Sequence, residues 1–147
     1  MRVVIQRVSE ASCTIDGKVH SKIGKGLLVF FGVGQDDADE DMNFLLDKTL
    51  NLRIFEDNEG KMNLSLQDID GEILIISQFT LYGNVKKGRR PSFVEAADPK
   101  VGEEYYNKFV EEMKNRWEKV ESGVFGADMK IGLVNDGPVT ILIDSKR

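Results

Sequence analysis

Neutral polar side chains follow a fully apolar segment near the middle of the chain. Residues 73–76 are Ile, Leu, Ile and Ile, and such a run predicts a strand that is buried on both faces. Ser77, Gln78 and Thr80 come next. Two hydroxyls and an amide at the end of a buried strand must find hydrogen-bond partners or bind a ligand. The pattern therefore indicates either a turn where the strand reaches the surface or a binding site on a rigid element.

A thiol and an imidazole form a second candidate pair. Asp16 and Gly17 are a strong signal for a two-residue hairpin turn, which would place Cys13 opposite His20 on one face of the hairpin. That arrangement suits a nucleophile and its base, but no third residue is evident to orient the imidazole. We interpret the two residues as a half-exposed cross-strand pair.

Metal ligands are scarce in the sequence. The chain has one cysteine and one histidine, so it offers neither an intrachain disulfide nor a cysteine-based metal cluster. We expect no metal and no cofactor. The 25 Asp and Glu residues make some close carboxylate pairs inevitable, but no spacing singles out an acid and base pair.

A short basic segment lies a few residues beyond the polar group. Such a segment is commonly a solvated loop. Beside a binding site it would instead hold a phosphate backbone, while Phe79 and Phe125 would be available to stack a base. Its basic residues are Lys86, Lys87, Arg89 and Arg90.

The segment Asn135-Asp136-Gly137-Pro138 near the end of the chain has the composition of a turn between two strands. Taken alone it predicts nothing more than a change of chain direction.

Four segments together resemble the D-aminoacyl-tRNA deacylase family. SQFTL at 77–81 and NDGPVT at 135–140 match its two main motifs. MRVVIQRVSEAS at the start and GVFGADM at 123–129 extend the resemblance over essentially the whole chain. The resemblance implies hydrolysis of the ester that joins a D-amino acid to the terminal ribose of tRNA, and it leaves the extent of activity on glycyl-tRNA open.

The resemblance also implies roles for particular residues. The substrate's own 2′-hydroxyl is expected to assist the reaction, and Phe125 and Met129 are expected to help shape the pocket. On this resemblance, Gly137-Pro138 would be a cis dipeptide that enters the partner's active site as a chiral filter, and the enzyme would be a homodimer. The residues that orient the ester and donate backbone amides to its carbonyl oxygen are Ser77, Gln78, Phe79 and Thr80.

Two alternatives stay open on the residues alone. Thr80 could act as a covalent nucleophile, although no base for it is evident. The same pocket could also belong to a non-catalytic module that binds RNA or a small metabolite, because no side chain in it is indispensable to a known catalytic mechanism.

Strands and two helices must position these residues. The first third, residues 2–33, predicts a meander of strands, with 27–31 as a central one. One helix is predicted to start within 36–41 and to run to about Leu50, and a second is predicted from Asp98-Pro99 to Ser122-Gly123. The apolar stripe of the second helix is Val101, Tyr105, Phe109, Met113 and Trp117, widened by Tyr106, Val110 and Val120. Further strands are predicted at 52–55, 61–66, 72–81, 129–134 and 139–143.

The element pattern predicts an α+β fold. Fully apolar strands need cover on both faces, which a three-layer β/β/α domain provides, with mostly antiparallel strands and both helices on one side. The family resemblance implies the same architecture. At 147 residues the chain fits a single domain, 1–147.

Composition limits the location and the partners. The hydrophobic share is 41% and the charged share 31%, which is typical of soluble globular proteins. No apolar run approaches transmembrane length, and Arg2, Gln6 and Arg7 interrupt the apolar residues at the start, unlike a signal peptide. We therefore expect a cytoplasmic protein with no membrane contact. A net charge of -5 means that any nucleic acid must be met by a local basic patch.

Overall fold

The computed structural model describes residues 1–147 as eight strands, two α-helices and one 3-10 helix. The α-helices are α1 (Asp39–Asn51) and α2 (Pro99–Arg116), and the 3-10 helix is Phe79–Tyr82. The strands are β1 (Arg2–Ile15), β2 (Lys18–Ile23), β3 (Gly26–Gly32), β4 (Phe55–Glu56), β5 (Met62–Leu64), β6 (Glu72–Ser77), β7 (Val120–Ser122) and β8 (Lys130–Asp144). Neither α-helix is both long enough and apolar enough to span a membrane.

The long strand β1 organises the main sheet. β8 pairs with it antiparallel from Arg2 to Thr14, β3 pairs with it from Arg2 to Val8, and β2 pairs with it from Ala11 to Ile15. The expected meander is therefore wrong, because β2 and β3 share β1 as a partner. β3, β6 and β7 continue the sheet as parallel neighbours, so the sheet is mixed.

Two apolar cores lie on opposite faces of β3 and β6. The larger core contains Leu27, Val29 and Phe31 together with the buried residues of both helices. The smaller core contains Leu28 and Leu74 with residues of β1 and β2, and no helix contributes to it. The apolar runs are thus buried on both faces, and the α+β arrangement with both helices on one side is confirmed.

The bounds of α1 agree with prediction, whereas α2 starts as predicted but ends earlier. α1 begins after Ala38, whose backbone N–H donates to Oδ2 of Asp41 at 2.8 Å. α2 ends at Arg116 because residues 120–122 pair with β6 as an additional strand. Most of the expected stripe faces the core, since Tyr106, Phe109, Val110 and Met113 are buried, whereas Val101 is exposed.

The ends of two strands also differ from prediction. β6 ends at Ser77, and the chain then turns into the 3-10 helix instead of continuing to residue 81. β8 is a single strand, but its register with β1 jumps from Gln6↔Thr140 to Val8↔Asn135. Residues 136–139 therefore form a bulge, because β8 advances five residues where β1 advances two.

The expected Cys13 and His20 pair does not form. Thr14 pairs with Val19 as predicted, but a register shift follows and Cys13 lies opposite Ser21. The thiol is buried in the smaller core while His20 is exposed. One bulged residue thus separates the only thiol from the only imidazole.

Candidate functional site

A cavity of about 460 Å³ lies at the carboxyl ends of the parallel strands β3 and β6. Parallel strands end at a common edge, where loops can converge on a ligand. The cavity lies between this edge, the first turns of α2 and the loop after β7. Its lining residues are Phe31, Gly32, Val33, Ile76, Ser77, Gln78, Phe79, Ala97, Pro99, Gly102, Tyr106, Phe125, Gly126, Ala127, Asp128, Met129 and Ile131.

The structure gathers some of the predicted site residues and leaves others outside. Ser77, Gln78 and Phe79 line the cavity from one side, and Phe125 and Met129 line it from the loop after β7. The cavity lining does not include the rest of the predicted set, which is Thr80, Gly137, Pro138, Lys86, Lys87, Arg89 and Arg90.

The backbone after β6 is tied to β3. The N–H of Gln78 donates to the carbonyl of Phe31 at 2.8 Å, which continues the β3–β6 pairing beyond Ser77. This amide is therefore not free for a ligand. Phe79 and Thr80 open the 3-10 helix, and the first amides of a helical turn have no acceptor within that turn. The side-chain amide of Gln78 donates to the Thr80 hydroxyl, which fixes both side chains at the cavity edge.

Tyr106 is a cavity residue that the sequence did not single out as polar. It was grouped with the apolar face of α2, and its ring is indeed 2% exposed. Its hydroxyl donates to the carbonyl of Ile75 at 2.7 Å and accepts from the N–H of Gly123 at 3.0 Å. Burial raises the pKa of Tyr106 to about 12, so the phenol is protonated and donates at neutral pH. It links β6 to the segment that carries Phe125.

Close packing fixes the opposite wall. The Phe125 ring lies against the Tyr106 ring with centroids 6.2 Å apart. A Cβ at Gly102 would lie 3.4 Å from this ring, and a Cβ at Gly123 would lie 2.5 Å from the Met129 sulfur. The Phe125 ring and the Met129 thioether are therefore packed against α2 and against the residue that follows β7.

Formal charges are sparse in the cavity. Asp128 is the one ionisable carboxylate in the lining, and it is exposed and paired with Lys130 at 3.0 Å. No group of three or more His, Cys, Asp and Glu side chains is arranged to hold a metal ion. The groups that face a ligand are apolar surface, a hydroxyl, an amide and backbone.

The Gly137-Pro138 dipeptide lies on the exposed bulge of β8, and its peptide bond is cis. The buried guanidinium of Arg7 donates through Nε to the carbonyl of Asp136 at 3.0 Å and through Nη1 to the carbonyl of Ile54 at 2.8 Å. Asn135 accepts from the N–H of Val139 at 3.1 Å. These bonds hold the bulge in one orientation.

The basic segment is an exposed loop with a closed base. Asn84 and Ser92 exchange two backbone hydrogen bonds of 2.8 and 2.9 Å, and the side chain of Asn84 also accepts from the N–H of Lys86 at 2.9 Å. The ion pairs of the protein include none of the loop cations. We call residues 84–92 the basic loop.

Curated relatives are similar to this chain over its whole length. The "D-aminoacyl-tRNA deacylase" of Thermosipho africanus is 58% identical over 147 residues, with 100% of this chain and 99% of the relative covered. The protein of the same name from Halothermothrix orenii is 57% identical over the same shares.

Two solved structures are similar in fold. One described as "c-Myc DNA Unwinding Element Binding Protein" has a TM-score of 0.93 and 41% identity, over 98% of each chain. One described as "a probable eukaryotic D-amino acid tRNA deacylase" has a TM-score of 0.81 over 97% of each chain, and at 23% identity it supports the fold alone. The family model described as D-Tyr-tRNA(Tyr) deacylase matches residues 4–144. The chain therefore belongs to the D-Tyr-tRNA(Tyr) deacylase family.

Proposed function

We propose that this protein hydrolyses the ester of D-aminoacyl-tRNA, releasing free D-amino acid and tRNA as a chiral proofreading step in the cytoplasm. The proposal rests mainly on residues 77–80 at the end of β6, which we call the cavity lip. There the SQFT segment of this family presents the first amides of a 3-10 turn beside an apolar cavity. Such a lip can bind the developing oxyanion of an ester without a charged side chain.

The proposed chemistry is substrate-assisted. An aminoacyl ester is already activated, so that positioning and oxyanion donors supply much of the rate, each donor contributing about 10²–10³-fold. The amides of Phe79 and Thr80 are the proposed donors, because Gln78 uses its own amide to bond Phe31. The 2′-hydroxyl of the substrate assists the attack, while Ser77 and Gln78 orient the ester.

Stereochemical selection is proposed to come from a second subunit. Gly137-Pro138 lies on an exposed bulge and outside the cavity of its own chain. In a homodimer this bulge would enter the partner's cavity, where backbone carbonyls accept the substrate ammonium and exclude a side chain on the L face. Because this filter consists of backbone atoms, it would not discriminate among the side chains of different D-amino acids.

The basic loop is proposed to hold the tRNA backbone. Replacing Lys86, Lys87, Arg89 and Arg90 with Gln should raise the tRNA dissociation constant and flatten its salt dependence, with the slope falling by about 0.7–0.9 for each phosphate that the loop no longer neutralises. Replacing Lys114 and Arg116 at the exposed end of α2 is the control. An unchanged slope in the loop variant would assign the loop to solvation.

A comparison of D-tyrosyl-tRNA with L-tyrosyl-tRNA tests the function directly. We expect rapid loss of the D ester only, relative to a buffer control, with glycyl-tRNA included to measure activity on an achiral ester. Equal persistence of the D and L esters would favour a non-catalytic module that binds RNA or a small metabolite. A monomer in solution that still cleaves D esters selectively would contradict the role given to the partner's Gly-Pro.

A further inference from the structure

Two aromatic rings stand side by side at the mouth of the cavity. The Phe79 and Phe93 rings pack edge to face, with centroids 5.1 Å apart and an interplanar angle of 65°. Phe79 lines the cavity and is nevertheless 56% exposed, whereas Phe93 is half-buried behind it. We call this pair the aromatic shelf. Its outer face is open to a planar ligand.

The chain holds the shelf in a defined position. A Cβ at Gly83 would lie 3.1 Å from the Phe93 ring, so glycine lets the ring approach the backbone that follows the 3-10 helix. The carbonyl of Phe93 accepts from the N–H of Ala96 at 3.1 Å. The two backbone bonds between Asn84 and Ser92 close the basic loop immediately before Phe93. The ring is therefore fixed by the base of that loop.

The cations beside the shelf lack acidic partners in the protein. Some lysines elsewhere form ion pairs, as Lys108 does with Asp39 and Lys119 with Asp70, whereas others, such as Lys18 and Lys100, form none. The basic loop carries four cations that form none. In a chain of net charge -5 this is a local excess of positive charge, and it lies next to a stacking surface. Aromatic faces flanked by cations are typical of surfaces that bind single-stranded nucleic acid.

We propose that the aromatic shelf stacks the base of an unpaired nucleotide at the 3′ end of the tRNA, next to the aminoacylated one. This inference rests on the proposed function. The cavity would hold the terminal nucleotide with its ester, so the shelf at its mouth receives the preceding base while the basic loop contacts its phosphate. Bases within a duplex do not offer a free face, whereas unpaired bases do. Stacking also tolerates any base identity.

Binding of uncharged RNA tests the inference without any ester hydrolysis. One probe is an RNA hairpin with an unpaired 3′ end, and the other is the same hairpin with a blunt end. We expect Phe93→Leu to raise the dissociation constant for the first probe by about 5- to 150-fold, the range for loss of one stacked base, and to leave binding of the blunt probe unchanged. Phe44→Leu is the matched control, because Phe44 is an exposed phenylalanine on α1 outside the cavity.

An abasic nucleotide next to the 3′ terminus completes the experiment. If the shelf stacks this base, the abasic probe binds wild-type protein as weakly as the intact probe binds Phe93→Leu, and combining the two changes adds little. Equal weakening of both hairpins by Phe93→Leu, or no weakening, would overturn the inference. Phe79→Leu provides a second variant if Phe93→Leu fails to fold by circular dichroism. Because the probes carry no ester, failure of D-ester hydrolysis would be a separate result.

Discussion

The polar groups beside α1 and those at the end of β6 are built in opposite ways. Beside α1, the buried Met1 ammonium lies 2.7 Å from Oδ2 of Asp37 and donates to the Ser145 hydroxyl at 2.8 Å. That hydroxyl donates to Asp41 at 2.7 Å, and Lys146 approaches Asp41 at 3.2 Å. We call these five residues the charged cluster. Each of its charges has an opposite charge within the cluster.

The cavity side instead uses neutral groups. Hydroxyls, an amide and backbone N–H groups surround an apolar space, and the single carboxylate lies at the exposed margin. Buried charges require fixed partners, whereas neutral polar groups cost less to leave open for a ligand. The comparison separates a region built for stability from a region that can exchange ligands.

Gly137→Ala should have the largest effect, and it would show whether the bulge belongs functionally with the cavity. Gly137 has a φ of +133°, and a Cβ there would lie 2.9 Å from both Arg7 Nη2 and Val139 Cγ2. Displacing the bulge by about 1 Å can cost about 10²-fold. We therefore expect kcat/KM for D-tyrosyl-tRNA to fall by about 10²-fold, or selectivity over the L ester to be lost, with the circular dichroism spectrum retained.

Gly60→Ala is the matched control for this change. Gly60 also has a positive φ, +75°, but nothing lies within 4 Å of its Cβ position. It should lose some stability and keep full activity. Equal loss of activity in the two variants would mean that backbone strain, and not the position of the bulge, explains the result.

Asp41→Asn tests the charged cluster. Burial alone would raise the pKa of Asp41. Hydrogen bonds from Ser145 and Ala38 and the nearby Lys146 ammonium outweigh burial and lower this pKa from 3.8 to about 2. A lowered pKa stabilises the fold above pH 3.8, and the contribution is lost as pH falls toward 2. The variant should lose up to about 2 kcal/mol of unfolding free energy at neutral pH, and its unfolding free energy should depend less on pH in the acid range.

Denaturant unfolding at several pH values measures both effects. Asp39→Asn is the control, since the Asp39 side chain is 64% exposed and its pair with Lys108 should contribute at most about 1 kcal/mol. Activity of Asp41→Asn per folded molecule should be unchanged. A reduced kcat with normal stability would break the division between the two regions.

Tyr106→Phe asks whether the cavity wall depends on one buried hydroxyl. The change removes a donor to the Ile75 carbonyl and one of the two acceptors of the Gly123 N–H, and a hydrogen bond contributes about 0.5–1.5 kcal/mol, or about 2- to 12-fold. We expect kcat/KM to fall within that range, mainly through KM, because the Phe125 wall moves while the amides at the lip stay in place. Tyr105→Phe, on the same helix and outside the cavity, should leave both constants unaltered. A fall confined to kcat would instead indicate a direct effect at the lip.

Thr80→Ala should have the smallest effect, because its proposed contribution is a backbone amide that alanine retains. The loss of the hydroxyl frees the Gln78 side chain, and we expect a decrease of about 2-fold in kcat/KM, the low end of the range for one hydrogen bond, because this bond is exposed. Thr80→Ser should restore most of it. Mass spectrometry of the wild-type enzyme during turnover should detect no aminoacyl adduct, and an adduct on Thr80 would replace the substrate-assisted mechanism with a covalent one.

Sequence patterns predicted the parts of the fold that depend on local chemistry. The apolar runs in β3 and β6 indicated burial on both faces, and Ser77 and Gln78 at the end of β6 line the cavity, whereas Thr80 does not. The predicted register of β2 against β1 was wrong, because a single bulged residue places Cys13 opposite Ser21 and not His20. An alternating sequence pattern does not reveal such a bulge. Tyr106 was counted as core for a similar reason. Its hydroxyl bonds to Ile75 and Gly123 only after folding brings these two residues close to it. No spacing in the sequence predicts that contact.

The bond from the Gln78 N–H to the Phe31 carbonyl has a consequence for heat inactivation. It attaches the lip of the cavity to two strands whose residues lie in both apolar cores. A loop-borne site can loosen well before the protein melts, because local openings need little free energy. Here the lip extends the pairing of β3 with β6, so we expect loss of activity on heating to coincide with global unfolding.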